Sequence, residues 1–231
     1  MSVVAIPSSY RRVSLTAGLL YLLTFVSIPS LAVFYKPVKG ASYITSAGPD
    51  TAAIIGGVLE IIVALAGIGT AVVLFSVLKK QHETAALGLV AARILEASTI
   101  FVGVAFILTI VSLRQSGVGA EALVTGHALA ALYERMFLLG QSFMPAICDL
   151  LLGFLLFKSR LVPRGLAMIG IVGGPVLLAG YFAVMFGLLE QHAPLAGLSA
   201  LLVALFEFSL GIWLVVKGFD PKAVAALESK V

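Results

Sequence analysis

The chain has 231 residues, 61% of them hydrophobic and only 11% charged, with a formal charge of +4 and a mean hydropathy of +1.13. A soluble domain is nearer half apolar and a quarter charged, so these values exclude one and point to a single integral membrane domain. The positive charge does not imply a nucleic-acid partner, because the basic residues sit at the ends of apolar runs, where they anchor helices and face anionic lipid.

The runs are long and rich in Leu, Ala, Val and Gly, without the short alternating segments of a membrane barrel. The expected fold is all-α, an integral membrane helical bundle. The first predicted span, 13–35, follows Arg11 and Arg12. It exceeds the roughly 7–15 residues of a signal h-region, so it reads as a retained helix, with Pro29 kinking its outer end. A loop rich in turn residues leads to Asp50 or Thr51, either of which suits the cap of a second span over 52–78.

Residues 79–83 read as a charged hairpin loop before a third span at 84–113. A Gly-rich connection over 114–127 includes a short interfacial helix at 120–124. The fourth span, 129–157, contains Pro145. The fifth, 163–189, is expected to break or kink at Gly173, Gly174 and Pro175. A sixth span at 195–216 is followed by a polar tail from Asp220.

Six transmembrane helices put both termini on one side, and Lys and Arg choose which. One set of ends carries Arg11, Arg12, Lys79, Lys80, Lys158, Arg160, Arg164, Lys217, Lys222 and Lys230; the other carries only Lys36, Lys39 and Arg114. Both termini are therefore expected in the cytoplasm, and the protein in the cytoplasmic (inner) membrane. Three-plus-three inverted symmetry suits such a count, but the two halves share no matching motif.

Arg93 and Glu96 stand one helical turn apart inside the third span. At ~1.5 Å per residue Arg93 lies roughly 15 Å deep and Asp149 roughly 13 Å from Lys158. Glu207 falls midway along the sixth span. These four form one expected layer near the bilayer centre. Each charged group there costs about 2.5–3.5 kcal/mol on the insertion scale, so the layer must face the bundle interior or a wet cavity. One arginine faces three carboxyls, and the imbalance calls for a proton or a bound cation. Asp149 and Glu207 suit the proton better than Glu96, which has the arginine beside it. Glu60 is a further candidate in the outer half, while Glu134 and Arg135 read as a helix-end pair at the interface.

Nothing points to a cofactor. Cys148 is the only cysteine, so neither a disulfide within the chain nor a Cys-based zinc site is available, and His82, His127 and His192 fall in loops on both sides. No GxSxG, HExxH, Walker or GxGxxG arrangement occurs. Ser98 and Thr99 read as bonding to backbone carbonyls. Three functions stay open. The first is transport of a small solute, cation or proton through the carboxyl–arginine layer. The second is a non-enzymatic sensor or accessory subunit, with a homo-oligomeric or membrane partner, in which the layer fixes helix packing. The third is an intramembrane enzyme acting on lipid.

Several stretches carry a family likeness: Ala17-Gly18-Leu-Leu-Tyr21, Ala92-Arg93-Ile-Leu-Glu96-Ala97, 152–164 with Gly170, and Phe206-Glu207 through Trp213 to Gly218. In these the chain resembles a bacterial polytopic membrane family defined only as a domain of unknown function, number 4386. The resemblance implies a helical membrane protein and marks Arg93, Glu96 and Glu207 as family-like positions, without implying a reaction.

Overall fold

A computed structural model describes residues 8–27, 33–40 and 42–229, and among these every regular element is helical. The expected kink at Pro29 lies outside the described residues. The α-helices are α1 (Ser8–Thr24), α2 (Tyr35–Val38), α3 (Thr51–Gln115), α4 (Leu123–Phe137), α5 (Met144–Ser159), α6 (Arg164–Met185), α7 (Pro194–Val216) and α8 (Pro221–Glu228). Four helical stretches among the described residues are long and apolar enough to cross a membrane: α3, the continuous 119–159 stretch, α6 and α7. The composition-based assignment to a helical membrane protein stands on these.

At 65 residues α3 is far longer than one ~20-residue crossing needs. It turns back on itself at His82, whose extended backbone (φ −162°, ψ 98°) interrupts the helix. Gly57 faces Val104, Ala64 packs with Ala97, and Gly67 faces Arg93, so 51–81 and 83–115 run antiparallel. The expected loop over 79–83 shrinks to one residue. His82 makes this possible by accepting the Ala85 N–H at Nδ1 (3.2 Å), a cap for the second half.

Other boundaries also move. The first helix starts earlier than expected and its α-helical part ends at Thr24. Residues 119–122 form a 3₁₀ turn rather than a separate helix, and α4 follows without a break, taking in His127. Between α4 and α5 the backbone widens into a π-helical turn, Leu138–Phe143. Pro145 accounts for it: the ring has no N–H for the Gln141 carbonyl and would collide with it in a regular helix. Pro175 does not break α6, which is helical throughout. Its neighbours serve packing instead, Gly173 against Leu202 and Val203 of α7, and Gly174 against Ala146 and Leu150 of α5. The tail after Asp220 is not a polar coil. Asp220 accepts the N–H groups of Lys222 and Ala223, which starts α8, and Ala223, Val224 and Leu227 are buried.

The long helices form a ring in chain order: α1, the two halves of α3, α5, α6, α7, and back to α1. Glycines set the closest seams. Gly18 lies against the Gly211 and Val215 backbone, Gly170 against Phe206, and Gly153 against the Ala167 and Ile171 backbone. One end of the ring gathers the start of α1, the His82 turn, the 160–163 connection and α8. Arg11 donates to the carbonyls of Leu214 (3.1 Å) and Val215 (2.6 Å), Lys80 to the Tyr10 hydroxyl (3.1 Å), and the Asp220 N–H to Leu161 (2.9 Å). At the other end Glu134 pairs with Lys39 (2.7 Å), accepts from Gln191 and has His192 Nε2 at 3.2 Å; among the described residues no ion pair joins it to Arg135.

Asp50 holds that second end together. It sits at the N-cap of α3 but does not cap it; its carboxylate accepts the Tyr43 hydroxyl and Gln115 Nε2 (2.9 Å), with Arg114 at 3.3 Å. Those hydrogen bonds, led by Tyr43, keep the Asp50 carboxyl below its usual range, while burial pushes Tyr43 up to about 12. A depressed carboxyl adds stability above its unfolded value near ~4 and loses it as pH falls through the folded value. Thermal unfolding followed against pH should show an acid-side loss of stability that is smaller in Asp50→Asn. At the α5–α6 seam, Gly153→Val should cost about 1–3 kcal/mol because its Cβ would meet backbone at 2.9 Å, while Gly165→Ala, with open space around it, should be neutral or mildly stabilising.

Candidate functional site

Arg93 and Glu96 lie on the inward face of the second half of α3, and α5 and α7 bring Asp149 and Glu207 to them. Gly67, across the α3 hairpin, leaves room for the arginine stem. The guanidinium is 4% exposed. Its Nη1 donates to both Glu96 oxygens (2.9 and 3.3 Å), and its Nη2 donates to Glu207 and stands 3.8 Å from Asp149 Oδ1. Four residues from three segments thus meet around one cation. A bidentate, planar donor suits this bridging task better than a lysine ammonium would.

Two further residues complete the cluster, and the insertion-cost reading passes over both. The Tyr21 ring of α1 lies 5.7 Å from the guanidinium carbon, and Cys148 Sγ donates to Glu96 Oε2 at 3.6 Å. Neutral side chains carry no large insertion penalty, so depth arithmetic does not single them out. The only signals were Tyr21's place in the Ala17–Tyr21 motif and Cys148's adjacency to Asp149. Ser98 and Thr99 do bond to backbone carbonyls, of Ile94 (2.8 Å) and Glu96 (2.6 Å).

Asp149 is fully buried, yet among the described residues neither of its carboxyl oxygens has a hydrogen-bond partner, and Arg93 Nε has none either. Leaving a buried polar atom unpaired costs roughly 1–3 kcal/mol, more if it is charged. On the side of the termini the cluster is sealed by fully buried leucines, including Leu74, Leu78, Leu152 and Leu155. On the opposite side lies a cavity of about 290 Å³. Arg93, Glu96, Glu207 and Gln141 give it a polar floor, and Val63, Ile100, Leu177 and Val203 are among its apolar walls.

Glu60 is not part of this cluster. It is buried nearer the end of the bundle away from the termini, where it accepts from Tyr35 (2.9 Å), Tyr133 (3.0 Å) and Gln141 (2.9 Å). The widened turn before Pro145 carries Gln141, which touches Glu60 while also lining the cavity. Gly140 in the same turn lets it press on Thr99 of α3, where a Cβ would collide. Among the described residues Gln141 is thus the one side chain shared by the Glu60 network and the cavity.

A family model described as Domain of unknown function (DUF4386) matches residues 16–218, which takes in every residue of the cluster and of the Glu60 network. The chain belongs to that family. Neither a curated protein nor a solved structure matches it. For this DUF4386 member the chemistry therefore rests on the cluster itself: a guanidinium, three carboxyls, a thiol and a phenol beside an amphipathic cavity. Carboxyls beside a guanidinium have the chemistry to exchange a proton or coordinate a cation, and the Cys148 thiol is buried against Glu96.

Removing the bridge should be costly. Arg93→Met is expected to lower stability by about 3–5 kcal/mol, as loss of one partner from a buried ionic network does. Arg93→Lys should recover only part, since a point charge does not span Glu96 and Glu207 together. Chemical unfolding in detergent, or the fraction recovered after heating, measures both.

Proposed function

We propose that this chain is a six-span membrane protein with cytoplasmic termini. In this reading it moves a small solute or ion across the bilayer, using the Arg93–Glu96–Asp149–Glu207 cluster to hold a proton or a cation. The six spans are α1, the two halves of α3, the 119–159 stretch, α6 and α7. At ~1.5 Å per residue the 17 residues of α1 reach about 26 Å, close to the thickness of the hydrocarbon core. The basic residues collect at the end where α1 begins and α8 lies, in support of that end facing the cytoplasm.

The observation that carries the reading is Asp149. A polar layer retained only to fix packing satisfies its members, because an unpaired buried group works against the fold. Among the described residues Asp149 has no hydrogen-bond partner, and one guanidinium is left to balance three carboxyls. A proton or a cation is the missing partner for both, and the cavity beside Glu96 and Glu207 supplies the route by which it arrives. Glu60 answers to the structural alternative: three neutral donors, one from α2 and two from the 119–159 stretch, satisfy it, as expected of a residue that pins helices together.

Infrared difference spectra of the carboxyl stretching region separate the two. Wild type in lipid, compared between about pH 5 and about pH 9, should show a carboxyl band that changes and is lost in Asp149→Asn. The same variant, reconstituted, should lose proton- or cation-driven flux while unfolding at nearly the wild-type temperature. Flux that survives Asp149→Asn and Glu207→Gln, or no flux in the wild type under any gradient, would overturn the transport reading in favour of a scaffold. An unresponsive wild-type band beside flux that both variants lose would assign the missing charge to a cation instead of a proton.

A further inference from the structure

A second pocket, of about 420 Å³, lies at the end of the bundle where α1 begins, between the connection after α5 and the connection after α7. It has no part in the central cluster. Arg160, Arg164, Lys217, Trp213 and Asp220 line it. Both connections depart from ordinary backbone here. Arg160 is the only non-glycine residue with positive φ (58°) among the described residues, and Gly218 has φ 75°. The two connections are tied by the hydrogen bond from the Asp220 N–H to the Leu161 carbonyl (2.9 Å). The pocket is therefore held by the fold, not by chance proximity of loop side chains.

Its charge is one-sided. The Asp220 carboxylate is engaged by the Lys222 and Ala223 N–H groups at the start of α8. Among the described residues none of Arg160, Arg164 and Lys217 forms an ion pair, although the Arg164 guanidinium packs 4.9 Å from the Phe157 ring centre. Three cations around one cavity, with the only acid already in use, call for an anion. The position specifies which kind. Leu198, Leu201, Leu205, Phe208, Ile212 and Val216 are exposed along one face of α7, at three- and four-residue spacing, and that apolar face ends beside Lys217. An anion with hydrocarbon chains attached fits a cationic pocket at the head of such a face, and an indole at the rim suits the headgroup level.

We propose that this pocket binds the phosphate headgroup of an anionic phospholipid, with the acyl chains lying along α7. Trp213 is the only tryptophan in the chain, so its fluorescence reports on the pocket directly. Delipidated full-length protein would be titrated with short-chain phosphatidylglycerol, short-chain phosphatidylcholine and inorganic phosphate. The expected result is a saturable change in Trp213 emission with phosphatidylglycerol alone. Its half-saturation concentration should rise roughly tenfold or more in the triple variant Arg160→Gln, Arg164→Gln, Lys217→Gln. If the triple variant does not fold by circular dichroism, Lys217→Gln and Arg160→Gln singly should each weaken binding severalfold. An equal response to phosphatidylcholine would overturn the proposal, as would an unchanged affinity in the folded variants. A response to inorganic phosphate as strong as that to the lipid would assign the pocket to a soluble phosphate and overturn the lipid assignment.

Discussion

The arrangement depends on one buried guanidinium. Arg93 is the single cation of the central layer, and its donors join side chains from the second half of α3 and from α7, with α5 close by. In hydrocarbon such a group is tolerated only when its neighbours balance it, so the geometry of three helices is referred to one side chain. The small residues around it follow from this need. Gly67 clears the arginine stem, and the glycines of α5, α6 and α7 draw the ring tight enough for the carboxyls to reach.

The two buried acidic sites show how differently carboxyls are treated in one bundle. Glu60 is surrounded by neutral donors, two phenols and an amide, and is complete as it stands. Asp149 has the Arg93 guanidinium at 3.8 Å and, among the described residues, no hydrogen bond to either carboxyl oxygen. Gln141, carried on the wide turn before Pro145, donates to Glu60 and also lines the cavity bordered by Arg93, Glu96 and Glu207. A backbone irregularity thus places one amide between the Glu60 network and the cavity beside the central cluster.

Much of this was legible in the residues, for identifiable reasons. Charged side chains at membrane depth are expensive enough that Arg93, Glu96, Asp149 and Glu207 had to meet one another, and rise per residue was enough to place them in one layer. Membership of the family was likewise written in the stretches around Tyr21, Arg93 and Glu207. What escaped was whatever carries little insertion cost or depends on backbone detail. Tyr21, Cys148 and Gln141 are neutral and unremarkable in sequence. The charged run at 79–83 has the composition of a loop, yet a single residue makes the turn because His82 caps the helix that follows. Gly173, Gly174 and Pro175 have the composition of a break, yet α6 continues because the glycines are occupied in packing against α5 and α7.

The one-residue turn at His82 also sets the register in which the two halves of α3 meet. With no spare residue between them, the level at which Gly57, Ala64 and Gly67 stand fixes the level at which Val104, Ala97 and Arg93 face them. The leucines on the side of the termini and the cavity on the other side are packed against that same hairpin. A residue inserted at the turn would turn the inward face of 83–115 by about 100°, and Arg93 and Glu96 would no longer point at Glu207.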